Sequence, residues 1–501
     1  MKYFVPLFLV LVVGCSLSKK TGKITDVKLE ALTDSIADIY AETILKRDLN
    51  KHLSILASDD YEGRETARPG QKKAAKYISD RFREIGVDAG AGNNSYYQTF
   101  DIDARNAANV IIEVNSNSWQ LGRDFYYVGN LKDIELSDIG LIDAGYGVEE
   151  GEYSDYSNLD VKGKFIIVRD GAPSTNVFEN DWHSWRRKVK LAEEKGAVGI
   201  ITIKDKDNFK YGVEMMEAFI QNPNMQMHNP GRRKADLMPN IYISDSTSKE
   251  LLLAIESLQI TVKVDIEETL TSDNVLGYIE GTDLKDELVI ITAHYDHLGY
   301  DNGEVCNGAD DDGSGTVSVI ELAEAFQKAK DDGKGPRRSI LFMTVSGEEK
   351  GLWGSSYYAE NPVYSLENTV VNLNIDMIGR RDDEHDYDNY IYLIGADRIS
   401  IDLHLISEKV NEKYINYDID YTYNDRADPN QFYYRSDHYN FAKKGIPVIF
   451  YFSGVHEDYH KPTDDVDKIN FNKVQRTTKM VFYTAWEIAN RDERLRMNGT
   501  D

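Results

Sequence analysis

The sequence predicts an α/β protein in which a central sheet is flanked by helices and a smaller domain is inserted into the chain. Three observations carry this. Beyond residue 270, apolar runs of strand length alternate with longer amphipathic stretches of helical period. The middle of the chain holds a compact strand–helix–strand unit of its own. A length of 501 residues exceeds one ordinary domain. Hydrophobic residues make up 41% and charged residues 29%, a mix that fills large cores. The formal net charge of −27 repels phosphate backbones, so nucleic acid is not an expected partner.

The chain opens with Lys2, an apolar run over residues 4–13, and Gly14-Cys15. That run is too short to span a bilayer and reads as the core of a signal peptide. Val12-Val13-Gly14-Cys15 resembles a bacterial lipobox, in which the cysteine is acylated and becomes the first residue of the mature chain. Residues 1–14 are therefore expected as signal peptide and 15–40 as lipid anchor and tether, with Cys15 lipidated. Ser16 points, by analogy with Gram-negative lipoproteins, to the outer membrane of a bacterial cell envelope, facing periplasm or exterior. No later apolar run reaches spanning length, so membrane contact is expected through the lipid only. The other cysteine, Cys306, reads as a buried inert thiol.

Residues 41–115 form the first part of the body. Pro69 sits at a helix start, Ala74, Ile78, Phe82 and Ile85 recur at helical spacing, and Gly86 stops the helix. Residues 116–268 read as the inserted domain: 164–168 a strand, 188–195 a helix, 197–203 a second strand. No cluster of metal-ligand types falls there. Residues 269–495 complete the body. A strand at 288–293 runs into His294, one at 340–345 into Gly347-Glu348-Glu349, and one at 371–375 into Asp376. A fourth, at 446–452, ends shortly before His460; 316–329 and 473–490 read as helices. In such sheets the ligand crevice lies beyond the carboxyl ends of the strands, so one edge collects histidines and acids.

Nitrogen and carboxylate donors together suit zinc. Five of them are too many for one tetrahedral ion with an open position, and suit two ions sharing a carboxylate. Asp310-Asp311-Asp312, flanked by glycines, is a run of like charges that needs solvent or a cation. In Glu348-Glu349 one carboxylate can bind metal while the other takes a proton from water. Asp296, two residues beyond His294, is placed to hold its ring. His456-Glu457-Asp458-Tyr459-His460 matches the H-E-x-x-H pattern, but Gly454 and Pro462 leave no room for the helix that pattern requires. Only His460 is expected to bind metal there.

The ordered strings resemble metallopeptidase family 28, the co-catalytic zinc aminopeptidases related to glutamate carboxypeptidase II and the transferrin receptor ectodomain. They are Ala293-His294-Tyr295-Asp296-His297, Asn307-Gly308-Ala309-Asp310-Asp311-Asp312, Ser346-Gly347-Glu348-Glu349, Asn374-Ile375-Asp376-Met377 and Tyr459-His460-Lys461-Pro462. Ser436-Asp437-His438 and Glu62-Gly63-Arg64 add to the likeness. Asp160-Val161-Lys162-Gly163-Lys164 and Lys195-Gly196-Ala197-Val198-Gly199 resemble the protease-associated domain often inserted in these enzymes. The resemblance implies a zinc-exopeptidase fold with a mixed central sheet, two zinc ions and peptide substrates. It implies that His294 and Asp376 hold one zinc, Glu349 and His460 the other, and that Asp311 bridges them. Glu348 becomes the general base, Tyr459 an oxyanion donor, and Asp296 the residue that orients His294. A carboxypeptidase or dipeptidase would use the same site. A glutaminyl cyclase would bind one zinc and lack the insert, and a surface binding module would keep a vestigial site.

Overall fold

Four apolar strands lie side by side and parallel, in the order Arg338–Val345, Leu284–His294, Thr369–Ile375 and Val448–Phe452. Every residue of three of them is buried, because the sheet is covered on both faces. Val289, Ile291 and Ala293 enter one core; Leu288 and Ile290 enter the other. Antiparallel strands extend the sheet outward: Ile266–Ile279 and Tyr97–Arg105 on one side, Tyr390–Ile394 on the other. The result is a mixed ten-stranded sheet. This computed structural model describes residues 35–499, apart from 106–108, 116, 129–130, 132–133, 175–177, 179–181, 222–223, 229–237, 255–257 and 264–265.

Helices Gly315–Asp331 and Phe471–Asn490 cover the first core. Helix Pro69–Glu84 packs there too, with Ala74, Ile78 and Phe82 buried as their spacing predicts, and Gly86 following at φ 83°. The amino-terminal tether ends sooner than residue 40. Ser35–Ala41 is already helix, with Ala37, Tyr40 and Ala41 buried and the Tyr40 ring stacked on Trp486. A polar composition hides three apolar side chains that a helix gathers on one face. The expected leader and Cys15 lie outside the described residues. No helix among the described residues is long and apolar enough to cross a membrane.

The insert has cores of its own. Strands Phe165–Arg169 and Gly199–Lys204 are parallel and joined through helix Trp185–Glu194, inside a five-stranded sheet. Its limits differ from 116–268. Asn109–Val114 pairs with Leu258–Lys263 in a second, four-stranded sheet, whereas Ile266–Ile279 belongs to the large sheet. Composition does not reveal antiparallel partners far apart in sequence. One excursion also returns: Asn224–Met227 pairs with Tyr97–Arg105 and forms an edge of the large sheet.

One buried pair makes the fold pH-sensitive. His52 Nε2 lies 3.6 Å from Glu321 Oε1, and His52 Nδ1 2.6 Å from the Tyr77 hydroxyl. Burial pushes the Glu321 carboxyl up to about 8 and the His52 imidazole down to about 4. The folded chain therefore keeps a proton on Glu321 that the unfolded chain releases above its ordinary 4.5, and stability drains away as pH rises from there through 8. Glu321→Gln, neutral at every pH, should raise Tm over the parent at pH 8 and leave it nearly unchanged at pH 4.5. Thermal unfolding at both values checks this; the same Tm difference at both would refute it.

Candidate metal centre

The carboxyl ends of the parallel strands bring the predicted residues to one place. His294 ends its strand, Asp376 follows Ile375, and Glu348 and Glu349 follow Val345 after a turn at Gly347, φ 78°. His460 sits in turns beyond Phe452 in the left-handed region at φ 58°. The aspartate run forms an irregular turn, Ala309–Ser314, with a cis peptide between Asp311 and Asp312.

The three aspartates face different ways. Asp312 points into the sheet edge, where Oδ2 accepts the His294 N–H at 3.1 Å and Oδ1 those of Gly315 at 2.9 Å and Met377 at 3.2 Å. Asp310 Oδ1 accepts the Gly379 N–H at 2.5 Å. The Asp464 carboxylate in turn accepts the N–H groups of Asp310 at 3.0 Å and Asp311 at 3.1 Å. Asp311 is left to face the cleft. Below the turn lies Arg64, 1% exposed. Its guanidinium donates to the carbonyls of Tyr295 (2.8 Å), Leu56 (2.9 Å), Asn307 (2.6 Å) and Gly308 (2.9 Å). It thereby ties the segment after His294 to the segment before the aspartates.

Asp311 divides the donors into two groups. Its Oδ1 is 3.2 Å from His294 Nε2, which is itself 3.6 Å from Asp376 Oδ1. Its Oδ2 is 3.2 Å from His460 Nε2, and that nitrogen is 3.2 Å from Glu349 Oε2. The predicted ligands thus fall into two sets sharing one carboxylate. Ser436 Oγ donates to Asp376 Oδ2 at 2.7 Å and fixes that carboxylate.

A donor beyond the expected five joins the second set. His297 is fully buried, with Nδ1 2.8 Å from Glu349 Oε1 and 3.9 Å from Asp311 Oδ2. Neither ring nitrogen has a hydrogen-bond partner of good geometry. A Cβ on Gly308, φ 52°, would stand 2.6 Å from this ring. Its one sequence signal is its place in the His294-to-His297 string; strand alternation puts it on the face opposite His294, but the chain has already turned there and bridges Glu65.

One expectation changes. The His294 ring is oriented by the main-chain carbonyl of Asp296, 3.1 Å from Nδ1, while the Asp296 carboxylate stands off at 3.8 Å. That carboxylate accepts instead from Thr66 Oγ1 at 2.6 Å and from the Glu348 N–H at 3.2 Å, so it holds the general-base candidate. His456 and His460 do not share a helix face: the segment is a series of turns, His456 Nε2 faces Asp310 Oδ2 at 3.3 Å, and Glu457 is exposed.

The donors suit a cation. Buried Asp311 Oδ2 and Glu349 Oε1 have no hydrogen-bond partner, a costly state for carboxylate oxygens. Burial lowers the His460 imidazole, yet Asp311 and Glu349 outweigh it and draw the ring up to about 10. Burial and Asp311 push Glu349 up, but His297 and His460 prevail and hold it at about 2. Such a site attracts positive charge, and nitrogen with carboxylate donors is the chemistry of zinc. In front lies a cleft of about 360 Å³, walled by Met377, Phe432, Phe450, Phe452 and Val455, with Tyr459 and Arg435 at its polar side. The Tyr459 ring stacks on His460 at 3.8 Å.

Residues 274–485 match the model of peptidase family M28, and residues 139–251 that of the PA domain. The chain is 25% identical over 433 residues to aminopeptidase YwaD of Bacillus subtilis, covering 85% of this chain and 81% of that one. It is 23% identical over 453 residues to a glutamate carboxypeptidase 2 homolog of Caenorhabditis elegans, covering 72% of this chain and 54% of that one. Among solved structures, the aminopeptidase from Aneurinibacillus sp. strain AM-1 superposes with a TM-score of 0.56 at 20% identity, over 93% of this chain and 98% of that one. BSAP, a zinc aminopeptidase from Bacillus subtilis, superposes at 0.50 with 20% identity, over 90% and 96%. The strand ends and the divided donor set thus lie in the stretch that matches peptidase family M28, and the parallel strands of the insert in the stretch that matches the PA domain.

Proposed function

We propose that this chain is a zinc-dependent aminopeptidase that removes amino-terminal residues from peptides at a two-zinc centre. The observation that carries this is the division of the donors by Asp311, each of its oxygens 3.2 Å from a different histidine. His294 and Asp376 would hold one ion, and Glu349, His460 and His297 the other, with Asp311 common to both. Zinc bound there supplies Lewis acidity that brings the pKa of water near neutrality. The chain supplies the rest. Glu348, fixed through its N–H by Asp296, faces the cleft beside His294 and takes the proton of the attacking water, then returns it to the leaving amine. Burial raises its carboxyl well above the usual range, His294 opposing and Glu349 adding. The Tyr459 phenol, kept protonated chiefly by burial, donates to the developing oxyanion. The apolar wall of Phe432, Phe450 and Phe452 receives a side chain and excludes water.

Glu348→Gln keeps shape but accepts no proton, so kcat on an aminoacyl amide should fall by about 10²–10⁴-fold with zinc content unchanged. Glu457→Gln should change kcat by less than about tenfold, since Glu457 faces solvent. An inactive Glu457→Gln beside an active Glu348→Gln would overturn the assignment. His297→Ala should weaken binding of one zinc by about tenfold or more, read by competition with a chromogenic chelator. Two unchanged affinities would remove His297 from the donor set.

We further propose that Cys15 carries lipid and holds the enzyme on a bacterial outer membrane. Cys15→Ala should abolish fatty-acid labelling; equal label in mutant and parent would refute the anchor.

A further inference from the structure

The reaction cleft has one charged side chain that neither the donor set nor the proton transfer uses. Arg435 lies on its wall beside Tyr459, with its guanidinium carbon 4.7 Å from the centre of the Phe432 ring. That stack fixes the stem and leaves the fork of donors open. Other arginines nearby are engaged: Arg64 holds four carbonyls, Arg380 pairs with Asp458 at 2.9 Å, and Arg398 donates to the Asn424 carbonyl at 2.9 Å. Among the described residues Arg435 makes no ion pair, in a chain with 85 acids against 58 bases. The other cationic side chains of the cleft are the histidines His294 and His460, both committed to Asp311.

An unpaired guanidinium lining the same cleft as Glu348 and the two histidines, beside an apolar wall, selects for a planar anion. We propose that Arg435 is a specificity-determining residue that binds a carboxylate of the peptide substrate. The inference rests on the peptidase reading above and narrows its substrate class to peptides with a carboxylate close to the scissile bond. Two sources fit. One is the side chain of an acidic amino-terminal residue, the other the terminal carboxylate of a dipeptide. The apolar wall of Met377, Phe450 and Phe452 in the same cleft suits the aliphatic part of either residue.

The test reads binding without turnover. The zinc-loaded full chain carrying Glu348→Gln is titrated by calorimetry with two isosteric pairs. Leu-Ala against Leu-Ala amide reports the terminal carboxylate, and Glu-Ala amide against Gln-Ala amide the side-chain one. In one pair the acid should bind about 10- to 100-fold more tightly than its neutral partner, as a charge-assisted contact allows. Adding Arg435→Met should bring that ratio to about one, and Arg435→Lys should keep part of it. Circular dichroism and zinc content confirm that each variant is folded and loaded. Ratios near one in both pairs, or a ratio that survives Arg435→Met, overturn the proposal. Hydrolysis is scored separately with the unmutated chain. If none of the four peptides is cleaved, the aminopeptidase reading fails while the binding ratios still decide the role of Arg435.

Discussion

The structure is organised around buried negative charge. Asp296, Asp310, Asp311, Asp312, Asp376, Asp437 and Asp464 are all buried at one edge of the sheet. Carboxylates out of water are tolerated only when hydrogen-bonded, paired or neutralised. Each has its own solution. Asp312 and Asp310 accept main-chain N–H groups, Asp437 accepts from Ser355, and Asp464 caps the aspartate turn. Arg64 is the buried guanidinium beneath them; burial lowers its pKa, and Asp296, Asp464, Asp311 and Asp312 offset part of that. Asp310, Asp311 and Asp437 each keep an unsatisfied buried oxygen, and of these three only Asp311 lines the cleft, between His294 and His460.

This arrangement also explains why the strand ends matter. A parallel sheet puts four carboxyl ends along one line, and a residue just past each end leaves the ladder and projects into the crevice. His294, Asp376 and the Glu348-Glu349 pair use that line directly. His460 comes from a longer loop whose backbone passes through the left-handed region, which turns His456 inward and His460 outward. The loop thus supplies one histidine to support the aspartates and another to face them.

Much of this was legible in the sequence because apolar runs that stop at a histidine or an acid are rare. The four strands and the helix starting at Pro69 followed from period and from proline and glycine alone. What stayed hidden depends on chain geometry outside regular elements. His297 enters the site because the chain turns after His294, and no spacing rule anticipates that. The Asp296 carboxylate serves Glu348 rather than His294 because the adjacent carbonyl reaches the ring first. Arg64 resembled a family string, but four carbonyl acceptors from three segments become visible only in three dimensions. The insert's limits moved because its first strand pairs with one about 150 residues later, by the register Leu258 to Val114.

The strand Asn224–Met227, contributed by the insert, has a consequence for how the chain is made. Strand Tyr97–Arg105 has both of its neighbours downstream, Asn224–Met227 on one side and Ile266–Ile279 on the other. At about 5–20 residues per second, the roughly 160 residues between Arg105 and Ile266 take on the order of ten to thirty seconds to synthesise. Until its partners emerge, each bare ladder of N–H and C=O groups is available to any other extended chain. The insert shortens the exposure, because its returning strand emerges first and closes one ladder. In biosynthesis the insert thus covers one edge of the domain that it interrupts before the chain reaches Ile266.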